Sequence, residues 1–164
     1  MLPSSRPEPD LEPADAEGAC RLRAMDLLAR REHSRLELER KLGARGFEPG
    51  VIAQVLDNLM RDRLLDEDRF VESFIRARAR KGQGPMRIRG ELVQRGVDDS
   101  SVSAGLANAP RDWAALAAEV RTKRFGASAP ADFGERARQA KFLQYRGFDG
   151  DQIRAALDMA ADSD

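Results

Sequence analysis

The side chains able to carry chemistry are unevenly supplied along these 164 residues. His33 is the only histidine and Cys20 the only cysteine. Neither a Cys/His zinc cluster nor an internal disulfide can be built from them, and His33 has no partner for a catalytic triad. Its place between two apolar runs, beside a helix cap, gives it a structural role. Asp66-Glu67-Asp68 has the carboxylates of a cation site, but it reads as the capped first turn of a helix, where acidic side chains meet free backbone N–H groups. Gly82-Gln83-Gly84 beside Lys81 has the residue types of a phosphate loop without its spacing, and it reads as a turn. Trp113 and Tyr145 have rings that stack on bases. Trp113, however, shares an apolar stripe with Leu116 and Val120 and belongs in a core, whereas Tyr145, just before Arg146-Gly147, is expected at the surface. No catalytic residue, cofactor site or metal site is expected, and the chain is not expected to be an enzyme.

What the sequence does supply is local positive charge. Arg76, Arg78, Arg80, Lys81, Arg87, Arg89 and Arg95 are opposed between 76 and 95 only by Glu91. Such a run is either a solvated face or a patch for phosphates or carboxylates. Arg76 and Arg80 are four apart and share a helix face. Arg87 and Arg89 flank Ile88, and the turn Gly82–Pro85 keeps the two helix ends close. Arg76, Arg80, Lys81, Arg87, Arg89 and Arg95 are therefore the candidate partner-binding residues. The 28 basic and 28 acidic residues cancel over the whole chain. The first 18 residues hold an excess of four negative charges, so the remainder is basic by the same amount.

The elements that must position these residues repeat. Lys41-Leu42-Gly43-Ala44-Arg45-Gly46-Phe47, Glu91-Leu92-Val93-Gln94-Arg95-Gly96-Val97 and Phe142-Leu143-Gln144-Tyr145-Arg146-Gly147-Phe148 align without a gap, with Leu42, Leu92 and Leu143 spaced 50 and 51 residues apart. Ile52 and Leu56, Val102 and Leu106, and Ile153 and Leu157 keep offsets of 10 and 14 from those leucines. Fixed-period self-similarity marks a repeat protein, and repeats of this size lean on one another for a core. Aromatics at 5% and charged residues at 34%, with abundant Ala, Leu, Arg and Glu, favour helix over strand.

Each unit reads as three helices. In the first, Leu22, Met25, Leu28 and Ala29 give helical spacing from about Ala19. Ser34 with Glu37 is a capping box, Leu36, Leu38 and Leu42 form an apolar side, Gly46 is a stop and Pro49 a start. In the second, Asp66 caps a helix through Phe70, Val71, Phe74 and Ile75. Pro85 starts a second helix, Gly96 stops it, and Asp98 or Asp99 caps the third. In the third unit Asp112 and Trp113 open the first helix, a long connection runs from Gly126 to Gly134, Gly147 stops the second helix, and Asp149 with Gln152 caps the last. The fold class expected is all-α: three tandem three-helix repeats forming an elongated, curved helical solenoid. The boundaries are a disordered acidic, Pro-rich tail at 1–18 and repeats at 19–62, 63–109 and 110–164. No apolar stretch reaches the roughly 18 residues of a membrane span and the start has no signal-peptide h-region. With a single cysteine, this suits a reducing cytoplasm.

Four segments, in order, resemble the RecX family of recombination regulators. They are Leu27-Leu28-Ala29-Arg30-Arg31-Glu32-His33-Ser34-Arg35-Leu36-Glu37-Leu38, Leu64-Leu65-Asp66-Glu67-Asp68-Arg69-Phe70, Gly84-Pro85-Met86-Arg87-Ile88-Arg89-Gly90-Glu91-Leu92-Val93-Gln94-Arg95-Gly96-Val97, and Phe142 to Phe148. The likeness runs from about Ala24 to Leu157. Leu65 stands where the family often has an aromatic, and is expected in the core. The resemblance implies a regulator of DNA repair and recombination that binds RecA and its filament on single-stranded DNA and restrains ATP hydrolysis and strand exchange, as a cytoplasmic monomer making at most weak direct contact with DNA. Two rivals stand beside it: a sequence-independent DNA-binding protein built from helix-turn-helix-like repeats, and a helical-repeat adaptor for an unrelated protein.

Overall fold

The structure, a computed structural model, describes residues 12–163. The acidic Pro-rich segment over residues 1–11 lies outside the described residues. Among the described residues there are nine helices and no strand: α1 Pro13–Arg30, α2 Arg35–Ala44, α3 Pro49–Arg61, α4 Glu67–Arg80, α5 Pro85–Gln94, α6 Asp99–Asn108, α7 Trp113–Phe125, α8 Phe133–Tyr145 and α9 Gly150–Asp162. The fold is all-α and consists of three three-helix repeats.

Local chemistry sets the helix ends. Ser34 accepts from the Glu37 N–H at 3.1 Å while the Glu37 carboxylate accepts from the Ser34 N–H at 3.1 Å, a reciprocal box. Asp149 and Gln152 do the same for α9 at 2.8 and 3.0 Å. Asp98, not Asp99, caps α6 through the Ser101 N–H, and Asp112 and Asp132 cap α7 and α8. Residues 13–18 are helical and do not belong to the tail: α1 starts at Pro13, six residues before Ala19. Proline loses nothing in a first turn that has no N–H partner, and Asp15 there meets the positive end of the helix.

The aligned heptapeptides are one structural device used three times. Gly46, Gly96 and Gly147 have φ of 90°, 81° and 102°. The N–H of the following residue returns to the leucine five back: Phe47 to Leu42 O at 3.3 Å, Val97 to Leu92 O at 3.2 Å, and Phe148 to Leu143 O at 3.1 Å. This is the Schellman stop, with its usual apolar contact between the two bonded residues. It explains why a leucine and an apolar residue bracket each Arg-Gly pair. Val97 and Phe148 and all three leucines are buried.

The described residues form two compact units, one up to Glu67 and one from Asp68 on. The first packs α1, α2 and α3 around Cys20, Ala24, Leu27, Leu38, Leu42, Ile52, Val55, Leu56, Leu59 and Leu65. Here α1 departs from its expected face. Leu22 is 69% exposed and Ala29 is exposed, whereas Cys20, Ala24 and Leu27 face inward. Small residues at 20 and 24 let α1 approach α3 closely, which a leucine stripe would prevent. The second unit holds repeats two and three around two clusters, one on Phe70, Phe74, Ile88 and Leu92, the other on Leu116, Leu143, Phe148 and Leu157. Trp113 packs against both.

Candidate partner-binding site

The basic block is divided by its surroundings. Arg78 and Arg95 both stack on the Phe74 ring, their guanidinium carbons 4.6 and 4.8 Å from its centre. Arg95 also donates to the Glu91 carbonyl at 3.0 Å. Arg78 Nε lies 3.1 Å from Glu91 Oε2, an ion pair by distance although the N–H is not aimed at the oxygen. Arg87 lies 3.9 Å from the same carboxylate and 5.8 Å over the Tyr145 ring. Arg89 pairs with Asp99 at 2.9 Å and Arg76 approaches Glu72 at 3.9 Å. Ile88, between Arg87 and Arg89, is fully buried, so those two arginines straddle the inward side.

Arg76 and Arg80 share a helix face yet border different concavities of the second unit. Arg76 lines a groove of about 670 Å³ between α4 and α6 with Val71, Ile75, Gly105 and Arg111. Arg80 and Lys81 line a cleft of about 440 Å³ with Lys123 and Arg124 of α7 and Arg146 beyond α8, over Leu116, Val120 and Phe142. Of the six candidates, only Arg80 and Lys81 meet in this cleft. Lys123, Arg124 and Arg146 were not among the candidates. Lys123 and Arg124 sit in the last turn of α7, where cations are common for reasons of helix dipole alone, so nothing local singled them out.

Arg146 is more than a helix-end cation. Its side chain crosses to α4, donating to Lys81 O at 2.6 Å and Gly82 O at 3.3 Å. The backbone follows: Gly84 N–H donates to Arg146 O at 2.8 Å and Met86 N–H to Gly147 O at 2.9 Å. A Cβ on Gly84 would lie 2.5 Å from Gly147 O and 2.6 Å from Phe148 N. The Gly84-Pro85 and Arg146-Gly147 motifs therefore form one joint between the second and third repeats. Arg121, 1% exposed, is a second element the sequence did not reveal. It donates to Gln139 Oε1 at 2.8 Å and to the carbonyls of Gly126 and Ser128, fixing the 126–132 connection.

His33 is buried, with Nδ1 3.0 Å from the Arg31 carbonyl and Nε2 2.9 Å from Lys41 Nζ. The ammonium only donates, so Nε2 accepts and Nδ1 carries the proton. Burial, then the cations of Arg31 and Lys41, hold its pKa below the ordinary value, against the pull of the Arg31 carbonyl and Glu37. Glu67, in the acidic triplet, accepts from the Arg35 N–H at 3.0 Å. Among the described residues no group of His, Cys, Asp and Glu side chains is arranged to hold a metal, and no helix is long and apolar enough to cross a membrane.

Three family models match this chain in order. Residues 20–59 match "RecX, first three-helix domain", residues 66–106 the second and residues 112–157 the third. The chain is similar to "Regulatory protein RecX" of Halorhodospira halophila, with 53% identity over 153 residues, 93% of this chain and 94% of that one. It is 49% identical to the protein of the same description from Pseudomonas fluorescens, over 85% of this chain and 90% of the other. The crystal structure of RecX from Lactobacillus salivarius superimposes with a TM-score of 0.78 at 19% identity, covering 90% of this chain and 98% of that chain. That likeness speaks for the fold.

Proposed function

The chain belongs to the RecX family, and from that membership we propose that it is a non-enzymatic cytoplasmic regulator. It binds RecA and the RecA filament on single-stranded DNA, and it slows ATP hydrolysis and strand exchange. The observation that carries this reading is the ordered match of all three repeats to a family whose relatives are described as regulatory proteins. Two features support it. The buried polar groups His33 and Arg121 are taken up by structural bonds rather than aimed into a pocket. The surface of the second unit offers cationic and apolar concavities suited to a macromolecule. Arg76, Arg80, Lys81, Arg87, Arg89 and Arg95 are proposed as contacts to RecA carboxylates or filament phosphates.

Titration into a RecA ATPase assay on single-stranded DNA tests the proposal. The rate is expected to fall at or below one regulator per RecA, with no ATP hydrolysis by the regulator alone. An unchanged rate at saturation would rule the inhibitory role out.

A further inference from the structure

The first and third helices of a repeat meet differently in the second repeat than in the other two. α1 packs along α3 and α7 along α9, whereas α4 and α6 make no such extended contact, and a groove of about 670 Å³ lies between them. Side-chain size accounts for the difference. The residues 13 and 17 positions after the aligned leucines are Val55 and Leu59 in the first repeat, Gly105 and Ala109 in the second, and Ala156 and Ala160 in the third. Val55 and Leu59 are buried in the core between α1 and α3. Ala156 and Ala160 are buried too, and Ala156 shares a cluster with Ala117, whose small side chain lets α7 come close. The second repeat instead sets small residues on α6 against large ones on α4. A Cβ on Gly105 would collide with Val71 Cγ1 and lie 3.3 Å from Ile75 Cδ1. The two helices touch at that point, and the seam beside it stays unfilled, with Gly105 and Ala109 only half-buried.

We propose that this groove receives one amphipathic helix of a protein partner, which supplies the pair of aliphatic side chains that α6 lacks. The first repeat shows what closes such a seam: Val55 and Leu59, four residues apart on one helix face. A helix docked from outside with aliphatic anchors at i and i+4 offers the same two groups. The groove rim sets the charges that flank them. α4 presents Asp68, Glu72 and Arg76 on successive turns of one face, and Arg111 follows the end of α6. Glu72 and Arg76 approach each other at 3.9 Å, while Asp68 and Arg111 have no ion pair among the described residues. An occupant with a cation at one end of its aliphatic pair and a carboxylate at the other complements both signs. The two rim carboxylates repel a phosphate strand, and a floor of Val71, Ile75 and Ala79 gives a polar peptide no hydrogen-bonding side chain.

The test is fluorescence anisotropy of the full chain with a fluorescein-labelled, alanine-rich helical peptide. The peptide carries leucines at i and i+4, a lysine one turn before them and a glutamate one turn after. Saturable binding is expected, weakened at least about tenfold when both leucines are replaced by serine. Ala104→Trp and, separately, Asn108→Trp place a bulky ring across the exposed α6 rim, and each is expected to weaken binding about tenfold or more. Ser103→Trp, exposed on the side of α6 turned away from the groove, is expected to leave binding unchanged. A circular dichroism melt like that of the unmodified chain confirms folding, and either rim variant serves if the other melts early. The site is refuted if the leucine and serine peptides bind alike. It is equally refuted if a folded rim variant holds the leucine peptide as tightly as the unmodified chain does. No RecA is present in these measurements, so failure of the RecA reading leaves their outcome intact, and the reverse holds.

Discussion

His33 illustrates how little a residue type says about its use. A lone histidine beside a capping box is enclosed between a carbonyl and an ammonium group, and the enclosure favours its neutral form. In the unfolded chain the same imidazole takes up a proton near pH 6.5. The unfolded state therefore binds more protons below that pH. The contribution of His33 to stability is complete above about pH 6.5 and declines as pH falls through it. Glu37 adds a second, more acidic limb. Burial is the largest influence on it and works upward, but bonds from Arg31 and the Ser34 N–H bring its pKa below the ordinary value. Its stabilisation is present above about pH 4.5 and is lost as pH falls through the lowered value. As the chain has one histidine, its C2 proton gives one resonance. That resonance is expected to titrate below pH 6.5 in the folded protein; a midpoint at or above that value would contradict the enclosure described. Arg121 makes a sharper demand, since no carboxylate touches it and three oxygens depend on it. Arg121→Met should cost about 2–3 kcal/mol by leaving those acceptors dry. Urea unfolding followed by Trp113 fluorescence reads this directly because Trp113 lies in the same unit. A loss under about 0.5 kcal/mol would place the bonds in solvent-equivalent balance.

At the scale of elements, the three glycine stops share a backbone conformation but not a neighbourhood. Nothing lies within 4 Å of where a Cβ on Gly46 would sit, whereas one on Gly147 would collide with Arg87 Cβ and lie 2.8 Å from Arg87 N. Gly46→Ala should therefore cost only the strain of a positive φ, about 1 kcal/mol, and Gly147→Ala distinctly more. Gly96→Val should exceed about 1 kcal/mol through the same strain with a β-branched side chain. Thermal melts of the three variants rank them, and equal losses at 46 and 147 would mean that the joint to Gly84 adds nothing. The stops and caps were legible in the sequence because their bonds span three to five residues, so residue type and spacing suffice. The joint was not, because it needs Gly84 and Gly147, 63 positions apart, to meet. The buried face of α1 was misjudged for a related reason. Hydropathy favours Leu22 over Ala24, but close helix approach favours the smaller side chain.

For the molecule as a whole, the repeat, the helical class and the family were all in the sequence, since each is carried by a pattern recurring along the chain. The distribution of charge was only half there. Runs of arginine are visible in sequence, but whether each is neutralised depends on acids such as Asp99 and Glu72 arriving from neighbouring turns and helices. Lys123 and Arg124, more than 40 residues from Arg80, join it only through packing. Zero net charge limits the pull of bare DNA on the protein. Binding to a filament should therefore exceed binding to the naked strand and resist salt better. Co-sedimentation with preformed RecA filaments on single-stranded DNA, set against the same DNA without RecA, tests the central claim most directly. The protein is expected to pellet with filaments at physiological salt and to stay in the supernatant with DNA alone. Equal pelleting with both, or none with filaments, would contradict it.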